Sequence, residues 1–173
     1  MPPAPHVDLL HADASLIVVD KPPGLLAVQG RGEAGRDNLA ARVQALFADA
    51  LVVHRIDMAT SGLMLFARGA AMQRQLSMAF ARGEVAKQYV AVVYGEVQGE
   101  AGTIAAALAA DWPNRPRQVV DPVHGKPSLT RWRVLSRGDG QTRLGLEPLT
   151  GRTHQLRVHL QWLGHPIRGD ALY

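Results

Sequence analysis

Between Tyr89 and Leu149 the chain offers four successive strand-like segments: Tyr89 to Val97, Thr103 to Leu108, Leu129 to Leu135 and Thr142 to Leu149. This run narrows the possible folds more than any other feature. Each segment is short and rich in apolar or alternating residues. A doubly wound sheet would require a helical crossover between such strands. The expected class is therefore α+β with a mostly antiparallel sheet.

Further strands are expected at Ser15 to Val19, which runs into the turn sequence Asp-Lys-Pro-Pro-Gly24, and at Leu63 to Ala67. Leu51 to Val53 is a brief apolar segment. Three helices are expected. One is capped by Asp37 or Asn38 and runs to about Phe47. A second, Ala70 to Arg82, has Met72, Leu76, Ala79 and Phe80 at helical spacing and Gly83 as its stop. The third, Gly151 to Leu163, has Leu156, Leu160 and Leu163 on one side. The three glycines between Gly30 and Gly35 mark a surface loop. No repeat or break in composition divides the 173 residues, so residues 1–173 are expected to form one domain.

Composition limits the chemistry. The chain has no cysteine, which removes disulfides, thiol catalysis and cysteine-bound zinc and fits a reducing compartment. No apolar run approaches the roughly 20 residues of a membrane span. Met1 to Val7 lacks the layout of an export signal, so a cytoplasmic location is expected. Charge is uneven. Residues 1–110 hold 9 Lys+Arg against 10 Asp+Glu, whereas residues 111–173 hold 10 against 5, and 9 of those 10 cations are arginine. A concentration of arginine suits phosphate oxygens and stacked bases, although an arginine-rich solvated surface has the same composition.

Four segments carry potential chemistry. In His54-Arg-Ile-Asp57-Met-Ala-Thr-Ser-Gly62 a polar cluster sits between two apolar runs. Asp57, placed where the chain leaves a strand, fits a nucleophile or base, and a β-turn satisfying its own backbone fits the pattern too. In Gly151-Arg152-Thr-His154-Gln155-Leu-Arg157-Val-His159-Leu160, a helix beginning near Gly151 would place Arg152 beside Leu156 and offer N–H groups to an anion. An amphipathic helix with solvated cations is the plainer alternative. His154, His159 and His165 do not share a helical face, so no metal site is expected from them. Tyr89, in Lys87-Gln-Tyr89, could stack on a base or simply pack in the sheet. Asp111-Trp112-Pro-Asn114-Arg115-Pro-Arg117-Gln118 is a stiff basic segment suited to a nucleic-acid backbone, or a surface loop.

Taken in order, these strings resemble one known family. HRIDMATSG resembles the H-R-[LI]-D-x-x-T-S-G signature of the RluA family of RNA pseudouridine synthases. GRTHQLRVHL resembles the family's later G-R-[TS]-H-Q-[LI]-R motif, and LGHPIRGDALY its continuation. DKPPGLLAV and KQYVAVVYGEV are similar to its opening turn and its K-x-Y strand. DWPNRPRQ followed by HGKPSLT resembles a dual-specificity subgroup that modifies both large-subunit ribosomal RNA and tRNA. The resemblance covers about residues 16–173.

It implies the pseudouridine synthase fold, a long bent antiparallel sheet flanked by helices with a central catalytic cleft, and no cofactor or metal. By position it implies that Asp57 is the catalytic aspartate and that Arg152 pairs with it. Tyr89 would stack on the uracil, and Arg55 would enter the RNA stack vacated by the flipped base. His54, Thr60, Arg115, Arg117, His154, Gln155 and Arg157 are expected to contact RNA. The partner is thus RNA, 23S ribosomal RNA and tRNA anticodon stem-loops in particular, and a monomer is the default. Ile56 replaces the commoner leucine, no S4-type RNA-binding domain is expected, and relatives usually run on past the position of Tyr173. Two other readings compete: a non-catalytic RNA-binding module of the same fold, and a nucleoside hydrolase. The second lacks the acidic cluster that a calcium-dependent site needs.

Overall fold

A computed structural model of the chain describes residues 6–30 and 32–173. Met1 to Pro5 of the N-terminal stretch, and Arg31 of the glycine-rich loop, lie outside the described residues. The chain divides into two compact units, Met1–Val85 and Ala86–Tyr173.

The first unit is built on a four-stranded antiparallel sheet. Its strands are β1 (Asp8–Ala12), β2 (Leu16–Lys21), β3 (Ala50–Val52) and β4 (Gly62–Arg68), in the order β1-β2-β4-β3. The alternation in β2 puts Ile17, Val19 and Lys21 on the buried side, where they join Met64 and Phe66 of β4. Helix α1 (Leu39–Leu46) begins where expected, with Asn38 as its cap: the side chain accepts the Ala41 N–H at 3.0 Å. Leu39, Ala40 and Val43 are its buried face. Helix α2 (Gly69–Ala81) keeps Met72, Leu76, Ala79 and Phe80 half-buried and is followed by Gly83 at φ 72°, a left-handed stop that glycine adopts without strain. Within the glycine-rich loop, Glu33–Gly35 forms a single 3-10 turn.

The second unit holds a four-stranded antiparallel sheet of β5 (Tyr89–Tyr94), β6 (Ala101–Ala105), β9 (Leu129–Gly138) and β10 (Gln141–Pro148), in the order β5-β10-β9-β6. A separate ribbon pairs β7 (Leu108–Ala110) with β8 (Gln118–Val120). The single strand expected over Thr103 to Leu108 is thus two strands serving different sheets. The third helix, α3 (Gln155–Trp162), contributes Leu160 to a core with Val93, Val97, Ile104, Trp132, Leu144 and Leu146. It starts at Gln155 rather than near Gly151, because His154 sits at φ 53°, ψ 20° and breaks the helical path before it. With residues 151–154 outside the helix, Arg152 does not share a helical face with Leu156. The net charge lies in this unit: Met1–Val85 carries 8 Lys+Arg and 8 Asp+Glu, and Ala86–Tyr173 carries 11 and 7.

Candidate active site

In the first unit the loop from Val53 to Ser61 joins β3 to β4 and presents the first motif. Gly62, at φ 124°, turns the chain into β4 in a conformation that a side chain would resist. Ile56 is buried and ties the loop to the core, while Arg55 on one side of it is exposed and Asp57 on the other is half-buried. Thr60 N–H donates to the Asp57 carbonyl at 3.1 Å, closing a turn that holds the carboxyl-bearing residue between Ile56 and Met58. His54 is engaged by the scaffold. Its Nε2 accepts the Leu65 N–H at 3.0 Å, and its ring stacks on Phe80 with centroids 4.4 Å apart.

A residue that sequence reasoning passed over underlies this loop. Lys21, at 0% exposure, sends its Nζ to three carbonyls: Pro22 at 2.8 Å, Leu25 at 2.8 Å and Met58 at 3.0 Å. Gly24 N–H reaches the Met58 carbonyl as well, at 2.8 Å. All three ammonium protons are used, so the buried cation is satisfied without a direct ion pair. Burial pulls the Lys21 ammonium below its ordinary range, and the negative charge of Asp57 acts in the opposite direction. The alternation Ile17, Val19, Lys21 was a signal that could have found it, since the lysine occupies an inward position of a strand.

In the second unit the later motif forms a turn ahead of α3. Gln155, only 4% exposed, organises it. Its Oε1 accepts from the Thr150 hydroxyl at 2.7 Å and the Arg152 N–H at 3.0 Å, and its Nε2 donates to the Leu129 carbonyl and the Thr130 hydroxyl, both at 3.0 Å. Thr130 in turn meets Nδ1 of the fully buried His159 at 2.9 Å, and His159 Nε2 lies 3.1 Å from the Ala106 carbonyl. The pattern is satisfied by a neutral imidazole with its proton on Nε2. Burial depresses the His159 pKa, and the Ala106 carbonyl only partly offsets this.

Arg157, 8% exposed, forms a bidentate pair with Asp170 at 2.6 and 2.8 Å. Burial works to raise the Asp170 pKa, but the Arg157 hydrogen bonds and the Leu172 N–H outweigh it, so the carboxyl is held below its ordinary value. Gln155 and Arg157, expected to contact RNA, are both buried and make these hydrogen bonds within their own unit. His154 Nδ1 meets the Tyr173 hydroxyl at 2.7 Å, and that oxygen accepts the Gln118 N–H at 2.7 Å. Burial raises the Tyr173 pKa, so the phenol stays protonated.

The other expected residues range from exposed to half-buried. Arg152 is exposed, with Nε donating to the Pro127 carbonyl at 3.1 Å. Arg115 is exposed, and the half-buried Arg117 lies over the Tyr173 ring at 5.3 Å. Tyr89 is half-buried at the start of β5, opposite Leu146, and packs against the core cluster. The structure thus gathers His54, Arg55, Asp57 and Thr60 on one loop of the first unit. It places Arg152, His154, Gln155 and Arg157 in and beside one turn of the second unit, where Tyr89, Arg115 and Arg117 also lie. Among the described residues no three His, Asp or Glu side chains converge as a metal site would require.

Comparison with known proteins places the chain in a family. A family model described as RNA pseudouridylate synthase matches residues 15–162. The chain is 46% identical to the dual-specificity RNA pseudouridine synthase RluA of Yersinia pestis, over 95% of this chain and 81% of that protein. It is 44% identical to the protein of the same description from Escherichia coli strain K12, over 99% and 79% respectively. Among solved structures it is similar to human RNA pseudouridylate synthase domain containing 1, with a TM-score of 0.82 and 30% identity, covering 100% of this chain and 72% of that one. The match spans both units and both motifs, and this chain belongs to the RNA pseudouridylate synthase family.

Proposed function

We propose that the protein isomerises uridine in structured RNA through Asp57, with both ribosomal RNA and tRNA as substrates. The observation that carries the reading is the loop around Asp57. Its carboxyl-bearing residue is half-buried, flanked by an exposed arginine, and fixed from beneath by Lys21 through main-chain carbonyls. The dual specificity follows the relatives, whose description names it, and the match covers nearly all of the present chain. The 23S ribosomal RNA and tRNA anticodon stem-loops are the particular targets, the enzyme acts in the cytoplasm as a monomer, and residues 1–173 work as one catalytic domain.

The reaction breaks the bond from C1′ to N1, joins C1′ to C5, and moves a proton from C5 to solvent while N1 gains one. Nothing is oxidised, and no water is consumed, so side chains suffice. A carboxylate near the ribose serves either as nucleophile at C1′ or as base at C2′ on the way to a glycal. Arg152 pairs with that carboxylate during catalysis, and Tyr89 stacks on the uracil. Extruding the target costs a few kcal/mol, and Arg55 offsets part of this by filling the vacated stack. Thr60 holds the turn that carries Asp57. Arg115 and Arg117 supply phosphate contacts, so binding weakens steeply with salt. His54, His154, Gln155 and Arg157 contribute by fixing the loops from which the others reach RNA.

Carbodiimide mapping of pseudouridine on unmodified 23S ribosomal RNA and bulk tRNA tests this reading. Wild-type protein is expected to leave new marks on both, and Asp57→Ala on neither. Marks on only one RNA would remove the dual specificity. Marks left by Asp57→Ala would remove the role of Asp57.

A further inference from the structure

The segment between β7 and β8 is ordered by its own hydrogen bonds. Asp111 N–H donates to the Arg117 carbonyl at 3.0 Å, Asn114 N–H to the Asp111 carbonyl at 3.1 Å, and Arg117 N–H to the Asn114 carbonyl at 3.0 Å. The Asn114 amide adds bonds to both Asp111 carboxyl oxygens, at 3.1 and 3.0 Å. The base of the loop is tied down where the Tyr173 hydroxyl receives the Gln118 N–H.

This closed loop does not bury its largest side chain. Trp112 is 69% exposed, more than Trp162 at 59% or Tyr94 at 53%. The Arg115 guanidinium lies 3.3 Å from the centre of the indole ring, close enough to be stacked flat on it. Arg115 is itself exposed, so guanidinium and indole form a preformed two-layer stack that projects from the surface. The unit carrying it holds the net positive charge of the molecule. An indole held in water by a self-bonded loop, with a cation on one face, is poorly suited to packing within its own chain. It is well suited to an anionic polymer with flat aromatic groups, since a base can extend the stack while the guanidinium N–H groups reach a phosphate.

We propose that Trp112 and Arg115 form a stacking platform for an unpaired base of the RNA, a base other than the uridine that is isomerised. The proposal rests on the RNA-acting reading above and adds to it. Arg115 contributes a stacked plane as well as a charge, and Trp112 supplies a contact that depends on a base, not on the backbone alone. The platform thereby favours substrates that carry an unpaired nucleotide in addition to the target.

The test uses the full chain and two fluorescently labelled 12-nucleotide probes at low salt. One is a single-stranded oligoribonucleotide, and the other has the same sugar–phosphate chain without bases. Stacking of one base corresponds to roughly a 5- to 150-fold gain in affinity. Trp112→Ala is expected to lose at least about fivefold on the base-bearing probe and to be unchanged on the abasic one, and Trp112→Phe is expected to keep most of the difference. Arg115→Lys, which keeps the charge without the plane, is expected to fall between them. Equal loss of affinity for the two probes, or no loss with Trp112→Ala, overturns the platform while leaving the RNA reading intact. Failure of the wild type to bind either probe, together with no pseudouridine on any RNA, overturns the RNA reading and the platform with it. Thermal melts of the variants separate these outcomes from misfolding.

Discussion

The loop at residues 54–62 and the turn at residues 150–155 both carry motif residues, yet they are held in place by different means. The first is gripped through a main-chain carbonyl, with His54 and Ile56 as its side-chain anchors. Buried Lys21 and Gly24 grip the Met58 carbonyl, and Ile56 fills the core. The second is anchored through its side chains, with Gln155 saturated by four hydrogen bonds and Arg157 locked to Asp170. A motif is thus a mixture of residues that face a ligand and residues that build the support. Which are which depends on how the loop is held.

That contrast can be broken in several ways, beginning where the effect should be largest. Arg157→Ala leaves the buried Asp170 carboxylate without its partner, and an expected loss of about 3–5 kcal/mol would be read by urea denaturation. Gln155→Leu strands the Thr130 and Thr150 hydroxyls, the Leu129 carbonyl and the Arg152 N–H; the expected cost is about 2–4 kcal/mol, together with faster amide exchange around the turn. Lys21→Met fills the space but leaves three carbonyls without a donor, and about 2 kcal/mol should be lost from the first unit. Arg55→Ala, on the same loop but exposed, should change stability by no more than about 0.5 kcal/mol while lowering turnover most on stably stacked RNA. If Arg55→Ala destabilises as much as Gln155→Leu, the distinction between the two loops is wrong.

A pH titration sharpens the comparison from the other side. His159 belongs to the same network as Gln155 and has a depressed pKa in the folded state. Above its ordinary value of 6.5 the imidazole is neutral whether the chain is folded or unfolded. Below that value the unfolded chain takes up a proton that the folded chain refuses, so stability should fall as pH drops through about 6.5. His159→Gln should flatten this slope, and an unchanged slope would assign it to other groups.

Much of this was legible in the sequence because it is local. The Asn38 cap, the Gly83 stop and the strand leading into Asp-Lys-Pro-Pro-Gly are each set by a few neighbouring residues, and all appear where expected. Strand β1 escaped because all five of its residues are exposed and show no alternation. The break between β6 and β7 falls in an alanine-rich stretch with no punctuation to mark it. Lys21 beside two prolines reads as an exposed turn residue, and its burial depends on Met58, 37 positions away. The bonds of Gln155 to Thr130 and of Arg157 to Asp170 likewise join distant positions, which no helical spacing could supply.

The central claim is that Asp57 performs the chemistry from a loop whose support lies elsewhere. It is tested most directly by tritium release from RNA labelled at uridine C5, comparing wild type with Asp57→Asn alongside RNA affinity and thermal stability. The account predicts that release falls by at least about a thousandfold, with affinity within a few fold and melting unchanged, as expected when a group that makes or breaks bonds is removed from an intact scaffold. Appreciable tritium release by Asp57→Asn would contradict it.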